Sequence, residues 1–534
     1  MSGNLLKSLA TVSGMTMASR VLGFVRQVLI AGVIGAGGNP VADAFWAAFR
    51  LPNMFRRLFA EGAFQAAFVP LFQGKLIGEA EAEARQFAEE VMAALVVVLL
   101  ALTVAVEIAA PVFVHLIASG FAGDVEKFDL TTLYMRIMFP YLTCMSLVGL
   151  LSGVLNSLDK FMAYAGAPLL LNICQITAIL LFANSEIQIT GMALAWATMI
   201  SGVMQLGLLF WGAQRQGYLL KWRVPRWTPG VSRLIKLGTP GFISAGAIQI
   251  NLIIGTNIAS QQDGAVSWLM NADQLYQLPL SVVGIALGVV LLPMLSRRVK
   301  EGDEKGAKHA LNRSVELSAA LTLPAAAAFI VMAAPICDAL FRGFATDALS
   351  LFGGRSSAFT EQDVLMTGAA LAMYGVGLPA FVWHKVFSPA FFAREDTKTP
   401  MNYALISIVI NTGLALVLFP RYGFLAVAFA TSFASWVQVA MLGWTLHRRG
   451  LFAPDARLLN RVPRILAATI GLAGFAAFAL AHADAIAGFL FNRYWLGVVI
   501  IAMAGLFVYG VLLLALGGVR LSDYKAYARN RASF

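Results

Sequence analysis

The sequence predicts an all-α polytopic membrane protein: 14 transmembrane helices, in two pseudo-symmetric six-helix lobes followed by two C-terminal helices. Three observations carry this prediction. The chain is too apolar to be soluble, its apolar residues form runs of membrane-spanning length, and its basic residues are sorted by the alternation of those runs. Of 534 residues, 59% are hydrophobic and 13% charged, and the mean hydropathy is +0.75. A soluble domain is roughly half apolar and about a quarter charged.

A membrane helix takes ~20 mostly apolar residues. Such segments are centred near residues 22, 50, 102, 143, 173, 201, 247, 282, 325, 377, 410, 435, 472 and 504. Runs such as MAALVVVLLALTVAV (92–106) are continuous, not alternating, which excludes barrel strands. Near the N-terminus, Lys7 precedes an apolar run, but Arg20 interrupts it and no small-residue cleavage site follows. This segment is expected to remain as helix 1 and not to be removed as a signal peptide.

The net charge of +11 suggests nucleic acid until its distribution is read. With alternating helices and a cytoplasmic N-terminus, 27 of the 39 Lys and Arg residues fall in cytoplasmic segments. Five fall outside (Lys127, Arg342, Arg355, Arg421 and Arg493), and seven within helices. That asymmetry is the positive-inside rule, so both termini are predicted to be cytoplasmic and no nucleic-acid partner is expected. Cys144, Cys174 and Cys337 are far apart and read as packing residues. The five histidines show no ligand spacing, so no metal or other cofactor is expected.

The chain reads as a duplication. LPNMFRRLFAEGAFQAAFVPLF (51–72) is echoed by LPLSVVGIALGVVLLPML (278–295), and Ala42-Asp43 by Ala272-Asp273. FPYL…LNSLDKF (139–161) parallels LPAF…FFAREDTK (378–398), each with an Asp after a bent helix (Asp396 in the second). The implied domains are 1–212 (first lobe), 213–236 (a basic, amphipathic cytoplasmic linker), 237–447 (second lobe) and 448–534 (two helices and a cytoplasmic tail). The linker is expected to lie along the lipid surface, with an ordinary solvated loop as the alternative. Parallel repeats of this kind build transporters with the substrate site between the halves. Gly284 and Gly288 form G-x-x-x-G, most simply a helix-packing patch.

The most informative stretch is DAFWAAFRLPNMFRRLFAEGAF (43–64), as apolar as a membrane helix yet holding Asp43, Arg50, Arg56, Arg57 and Glu61. Each arginine at the bilayer centre costs ~2.5–3.5 kcal/mol on insertion scales. With Arg20 and Arg26 of helix 1, the first two helices carry five arginines against two carboxylates. A positive surplus suits a large anionic substrate, because the planar guanidinium binds phosphate oxygens in pairs and stays charged. Arg56 and Arg57 also read as helix-end charges, and Arg50 as a partner of Asp43. Lys385 reads as a second-lobe cavity charge or a snorkelling lysine.

NLLKSLATVSGMTMASRVLGFVRQ (4–27) followed by DAFWAAFRLPNMFRRLFAEGAFQAAFVP (43–70) resembles the MurJ (MviN) lipid II flippase family of the multidrug/oligosaccharidyl-lipid/polysaccharide exporter superfamily. SWLMNADQLYQLPLSVVGIALGVVLLPMLS (267–296) and SPAFFAREDTKTP (388–400) extend the resemblance over the whole chain. It implies two lobes, a central cationic cavity, and a groove of helices 13 and 14 for a polyprenyl tail. The family's cavity arginines fall on Arg20, Arg26 and Arg56, and its acidic residues on Asp43 and Glu61. Arg50, Asp273 and Gln274 join them as binding candidates, with Lys385 and Asp396 as second-lobe cavity candidates. Two positions depart from the family pattern: Gln27 stands where Asp is common, and Gln274 where Arg is common. The second departure removes an expected phosphate ligand and frees Asp273 to meet a first-lobe arginine.

The implied function is transfer of lipid II, an undecaprenyl-diphosphate-linked disaccharide-pentapeptide, between leaflets of the bacterial inner membrane by alternating access. Membrane lipids and other cell-wall synthesis proteins are the expected partners. The energy source is left open between the membrane potential and an H+ or Na+ gradient; with no Walker motif, ATP is not expected. The alternatives are a flippase for another polyprenyl-diphosphate saccharide, or a cation-coupled drug antiporter of the same superfamily. A membrane enzyme would need loop carboxylate clusters or a metal motif; the external loops are short, and GFAGDVEKFDL (120–130) has scattered acids but no D-x-D pair.

Overall fold

The computed structural model describes residues 2–59, 63–78, 81–158, 160, 162–482 and 493–519. It places their side chains except at 2–13, 240–245, 247, 248 and 285–290. Every regular element among them is helical. In chain order they are α1 (Ser2–Ile34), α2 (Pro40–Phe59), α3 (Ala63–Gly78), α4 (Glu81–Ile117), a 3-10 helix (Ser119–Gly123), α5 (Val125–Met138), α6 (Tyr141–Ser157), α7 (Met162–Phe182), α8 (Ile187–Arg215) and α9 (Pro229–Ala259). There follow α10 (Ala265–Lys300), α11 (Glu304–Val331), α12 (Ala333–Cys337), a π-helical stretch (Asp338–Phe344), α13 (Ala345–Ser350), α14 (Glu361–Phe392), α15 (Lys398–Tyr422), α16 (Leu425–Arg448), α17 (Ala456–Leu480) and α18 (Tyr494–Ala515).

Among the described residues, 11 helical spans are long and apolar enough to cross a membrane, and the chain is a multi-pass membrane protein. The predicted spans near 50, 247 and 282 fall on α2, α9 and α10, which are helices but not among those spans. For α2 the reason is charge, since Asp43, Arg50, Arg56 and Arg57 lie within its 20 residues. The helix runs through Pro52 to Phe59.

Packing divides the chain into two compact units, residues 1–267 with 345–360, and residues 268–344 with 361–534. In the first, α1 packs on α7, α2 on α5, and α9 on α3 and α4. Phe64, Phe68 and Phe72 recur every four residues and stack along α3 with centroids 5.5 Å apart. Phe68 also stacks on Phe87 of α4 at 5.7 Å. Segment 345–360 reaches the C-terminal end of α1, where the Ala358 N–H donates to the Gly32 carbonyl at 2.6 Å. Gly35 turns there with φ +69°, and a Cβ on it would lie 2.9 Å from the Ala358 oxygen, so this junction requires glycine.

The middle of the linker, between α8 and α9, is neither helical nor loose. Residues 218–227 carry no regular structure, yet the buried Glu89 of α4 accepts the Lys221 N–H at 2.9 Å and Arg223 Nε at 2.5 Å. The Thr228 hydroxyl donates to Glu90 at 2.8 Å. Trp222 and Trp227 project from this pinned strap and are exposed.

In the second unit, α11 packs on α14 and α17, and α14 on α16. A buried carboxylate fixes α17. Glu316 of α11 accepts Arg461 Nη1 at 2.6 Å and pairs with Arg457 Nε at 3.3 Å. Arg313 bridges Glu316 to Asp455, whose carboxylate also caps α17 through the Leu458 N–H at 2.7 Å. Arg461 is 7% exposed, so Glu316→Ala takes a carboxylate partner from a buried guanidinium. It is expected to destabilise the second unit by about 3–5 kcal/mol. Thermal unfolding together with hydrogen exchange of α17 checks this, and unchanged protection would contradict it.

Candidate functional site

The first unit gathers basic side chains from α1 and α2. Arg20 is exposed and Arg26 half-buried on α1, which continues unbroken through Gly23. Asn172 of α7 lies beside this turn and donates to the Ser19 carbonyl at 2.9 Å. Among the described residues Arg26 Nε is buried with no hydrogen-bond partner, and the guanidinium lies within electrostatic reach of Tyr141 and Arg56. Arg56 is half-buried, its Nε donating to Asn53 Oδ1 at 3.1 Å, while Arg57 is exposed. Arg50 Nε donates to the Thr256 hydroxyl of α9 at 2.8 Å.

Two like charges held near each other on apolar helices repel. An anion placed against both relieves that repulsion and meets donors already oriented. This is an arrangement able to take a phosphate or diphosphate. Glu61 lies outside the described residues.

Asp43 sits differently. It is fully buried, and its carboxylate accepts the Gly264 N–H at 2.8 Å, the Ser267 N–H at 2.9 Å and the Ser267 hydroxyl at 2.7 Å. These donors flank the first turn of α10, where a negative charge also faces the positive end of the helix dipole. Lys127 Nζ stands 3.6 Å from Asp43 and 2.6 Å from Asp263. Sequence reasoning assigned Lys127 to an external loop; it is instead a buried residue of α5.

In the second unit, Asp273 and Gln274 are half-buried on α10, and the Gln277 amide, one turn on, donates to the Asp273 carboxylate. Lys385 is half-buried on α14. Asp396 lies in the turn before α15. It accepts Arg449 Nη1 at 2.6 Å, the Thr399 N–H at 3.0 Å and the Thr399 hydroxyl at 2.7 Å.

The Arg449 guanidinium, helped by Thr399, holds the Asp396 carboxyl down to about 2. Because the folded value is the depressed one, the stabilisation is complete above the ordinary aspartate range, about 4. It is lost as pH falls toward about 2. Asp396→Asn is therefore expected to lower the thermal midpoint by the same small amount throughout about pH 5 to 8. A difference that varies across that window would contradict this.

A family model described as lipid II flippase MurJ matches residues 30–496. The chain belongs to the MurJ family. A probable lipid II flippase MurJ of Rhizobium meliloti (strain 1021) is 43% identical over 540 residues, covering 99% of this chain and 97% of that protein. The lipid II flippase MurJ of Burkholderia cenocepacia is 34% identical over 478 residues, covering 88% and 89%. A solved MurJ structure, titled as a lipid II flippase in an inward closed conformation, superposes with a TM-score of 0.75 at 23% identity. That match covers 94% of this chain and 97% of that one. A multidrug resistance MATE transporter of the MOP superfamily superposes at 0.64 with 15% identity, covering 83% and 98%. Both solved structures share the fold of this chain.

Proposed function

We propose that this chain moves lipid II from the inner to the outer leaflet of the bacterial inner membrane, with both termini in the cytoplasm. The observation that carries the reading is that Arg26 lies within electrostatic reach of Arg56 and that its Nε has no partner among the described residues. The diphosphate is the part of lipid II that hydrocarbon rejects most strongly. Guanidinium groups replace its hydration with charge-assisted bonds, and the sugar-peptide head stays in water. The polyprenyl tail remains in the apolar phase along α17 and α18, whose Ile470, Phe478, Met503 and Phe507 are exposed.

Translocation follows when the bound diphosphate is presented to the two membrane faces in turn. A membrane potential or an H+ or Na+ gradient drives the cycle, and no bond of the substrate is made or broken.

Proteoliposomes holding lipid II on the inner leaflet alone test this. Incorporated protein is expected to make that lipid accessible to a membrane-impermeant probe outside; persistent inaccessibility would contradict the reading. In the same assay Gln274→Arg is expected to retain or raise activity, since it adds a cation to α10. Complete inactivation would show that position 274 has another role.

A further inference from the structure

Gly284 of α10 and Lys385 of α14 belong to the second unit. The G-x-x-x-G spacing suggested that Gly284 admits a neighbouring helix backbone. What lies against it is the lysine side chain. A Cβ built on Gly284 would stand 2.8 Å from Lys385 Cδ, 3.0 Å from Nζ and 3.4 Å from Cε. The outer half of the lysine thus runs across the glycine and fills the space a side chain would take.

The ammonium has no counter-charge among the described residues. Among the described residues, no hydrogen bond or ion pair involves Lys385. The facing turns whose side chains are not described, residues 285–290 (IALGVV), carry no charged or polar side chain. Its neighbour His384 is turned to the Ser388 hydroxyl at 3.3 Å.

An intramembrane lysine costs ~2.5–3.5 kcal/mol on insertion scales, and one kept for architecture is paired within the protein. Lys385 is half-buried, unpaired among the described residues and seated in a groove only glycine leaves open.

We propose that Lys385 is the second unit's contact for an anionic oxygen group of the translocated lipid, and that Gly284 is the positioning residue holding it across α10. The inference rests on the lipid II reading above and goes beyond it by naming a cation that serves where position 274 carries glutamine. Phosphate and carboxylate share the chemistry an ammonium recognises, and lipid II carries both.

Gly284 makes the proposal sharply testable. The atoms an alanine there would meet are the far end of a flexible side chain, not backbone. The cheapest relaxation of Gly284→Ala is therefore displacement of the lysine, which spares the helix packing.

The test is equilibrium binding of two probes, lipid II and undecaprenyl diphosphate, to the purified full-length chain. Lys385→Gln is expected to weaken lipid II binding roughly tenfold, the loss of one charge-assisted bond. Gly284→Ala is expected to weaken it several-fold with an unchanged thermal midpoint. The double variant is expected to bind no more weakly than Lys385→Gln alone, because both changes remove one contact. Lys385→Arg should restore most of the affinity. If Lys385→Gln unfolds the chain, Lys385→Met keeps the apolar stem over Gly284 and removes only the charge.

An effect on both probes identifies the diphosphate as the bound group; an effect on lipid II alone identifies a head-group carboxylate. Either supports the proposal. Wild-type affinity in Lys385→Gln, with binding lost in Arg26→Ala, would overturn it and leave the lipid II reading intact. Failure of the wild type to bind either probe would overturn both. Fully additive losses in the double variant would overturn the role of Gly284.

Discussion

Arg26→Ala is expected to abolish lipid II translocation while leaving the amount of folded protein unchanged. The two halves of this expectation have separate causes. Among the described residues Arg26 Nε has no hydrogen-bond partner, so its removal leaves none of them unpaired. The variant also removes a like charge within electrostatic reach of Arg56, which lowers repulsion in the unliganded site. What is lost is a donor to the substrate. A hydrogen bond to a charged group contributes ~1.5–3 kcal/mol, and a bidentate contact provides two. Loss of both corresponds to at least about a 100-fold fall in affinity. Translocation in proteoliposomes, set beside the thermal midpoint, checks both halves. Activity near wild type would remove Arg26 from the mechanism, and a large fall in the midpoint would reassign it to the fold.

Asp43→Ala is expected to behave in the opposite way and to lose stability first. Its carboxylate is the acceptor for the N–H groups of Gly264 and Ser267 and for the Ser267 hydroxyl, all in buried surroundings. Each buried donor left without a partner costs about 1–3 kcal/mol. Lys127, 4% exposed, keeps Asp263 and is not stranded entirely. The expected total is about 3–5 kcal/mol, seen as a clear fall in the thermal midpoint and faster exchange at the start of α10. Asp43→Asn, which keeps one acceptor oxygen, should lose less. A variant that unfolds like the wild type yet fails to bind lipid II would instead make Asp43 a direct substrate contact.

The contrast between these residues shows what one sequence can reveal. Arginines on apolar helices stand out because an intramembrane charge has a cost that composition makes visible. The helical class and multi-pass character follow from the length and continuity of the apolar runs. What a charge is for depends on partners far along the chain. Asp43 meets Ser267 across 224 positions, and Glu316 meets Arg461 across 145; neither pairing has a local signal. Lys127 read as a loop residue because its neighbours Asp124, Glu126 and Asp129 are polar, while in the fold Asp124 caps α5 and turns the lysine inward. Gly284 looked like helix packing because G-x-x-x-G spacing does not distinguish a neighbouring backbone from a lysine stem. The linker's basic and aromatic residues were legible, but its attachment through Glu89 was not, since a glutamate in EARQFAEE reads as a solvated helix face.

The most direct test of the central claim is lipid II on the outer face of the inner membrane, read with a membrane-impermeant probe after acute depletion of this protein in cells. The account predicts that lipid II accumulates inside and disappears from the outer face. It also predicts that re-expressed wild-type protein restores it and Arg26→Ala does not. Unchanged outer-face lipid II after depletion, in cells lacking any other lipid II flippase, would contradict the account.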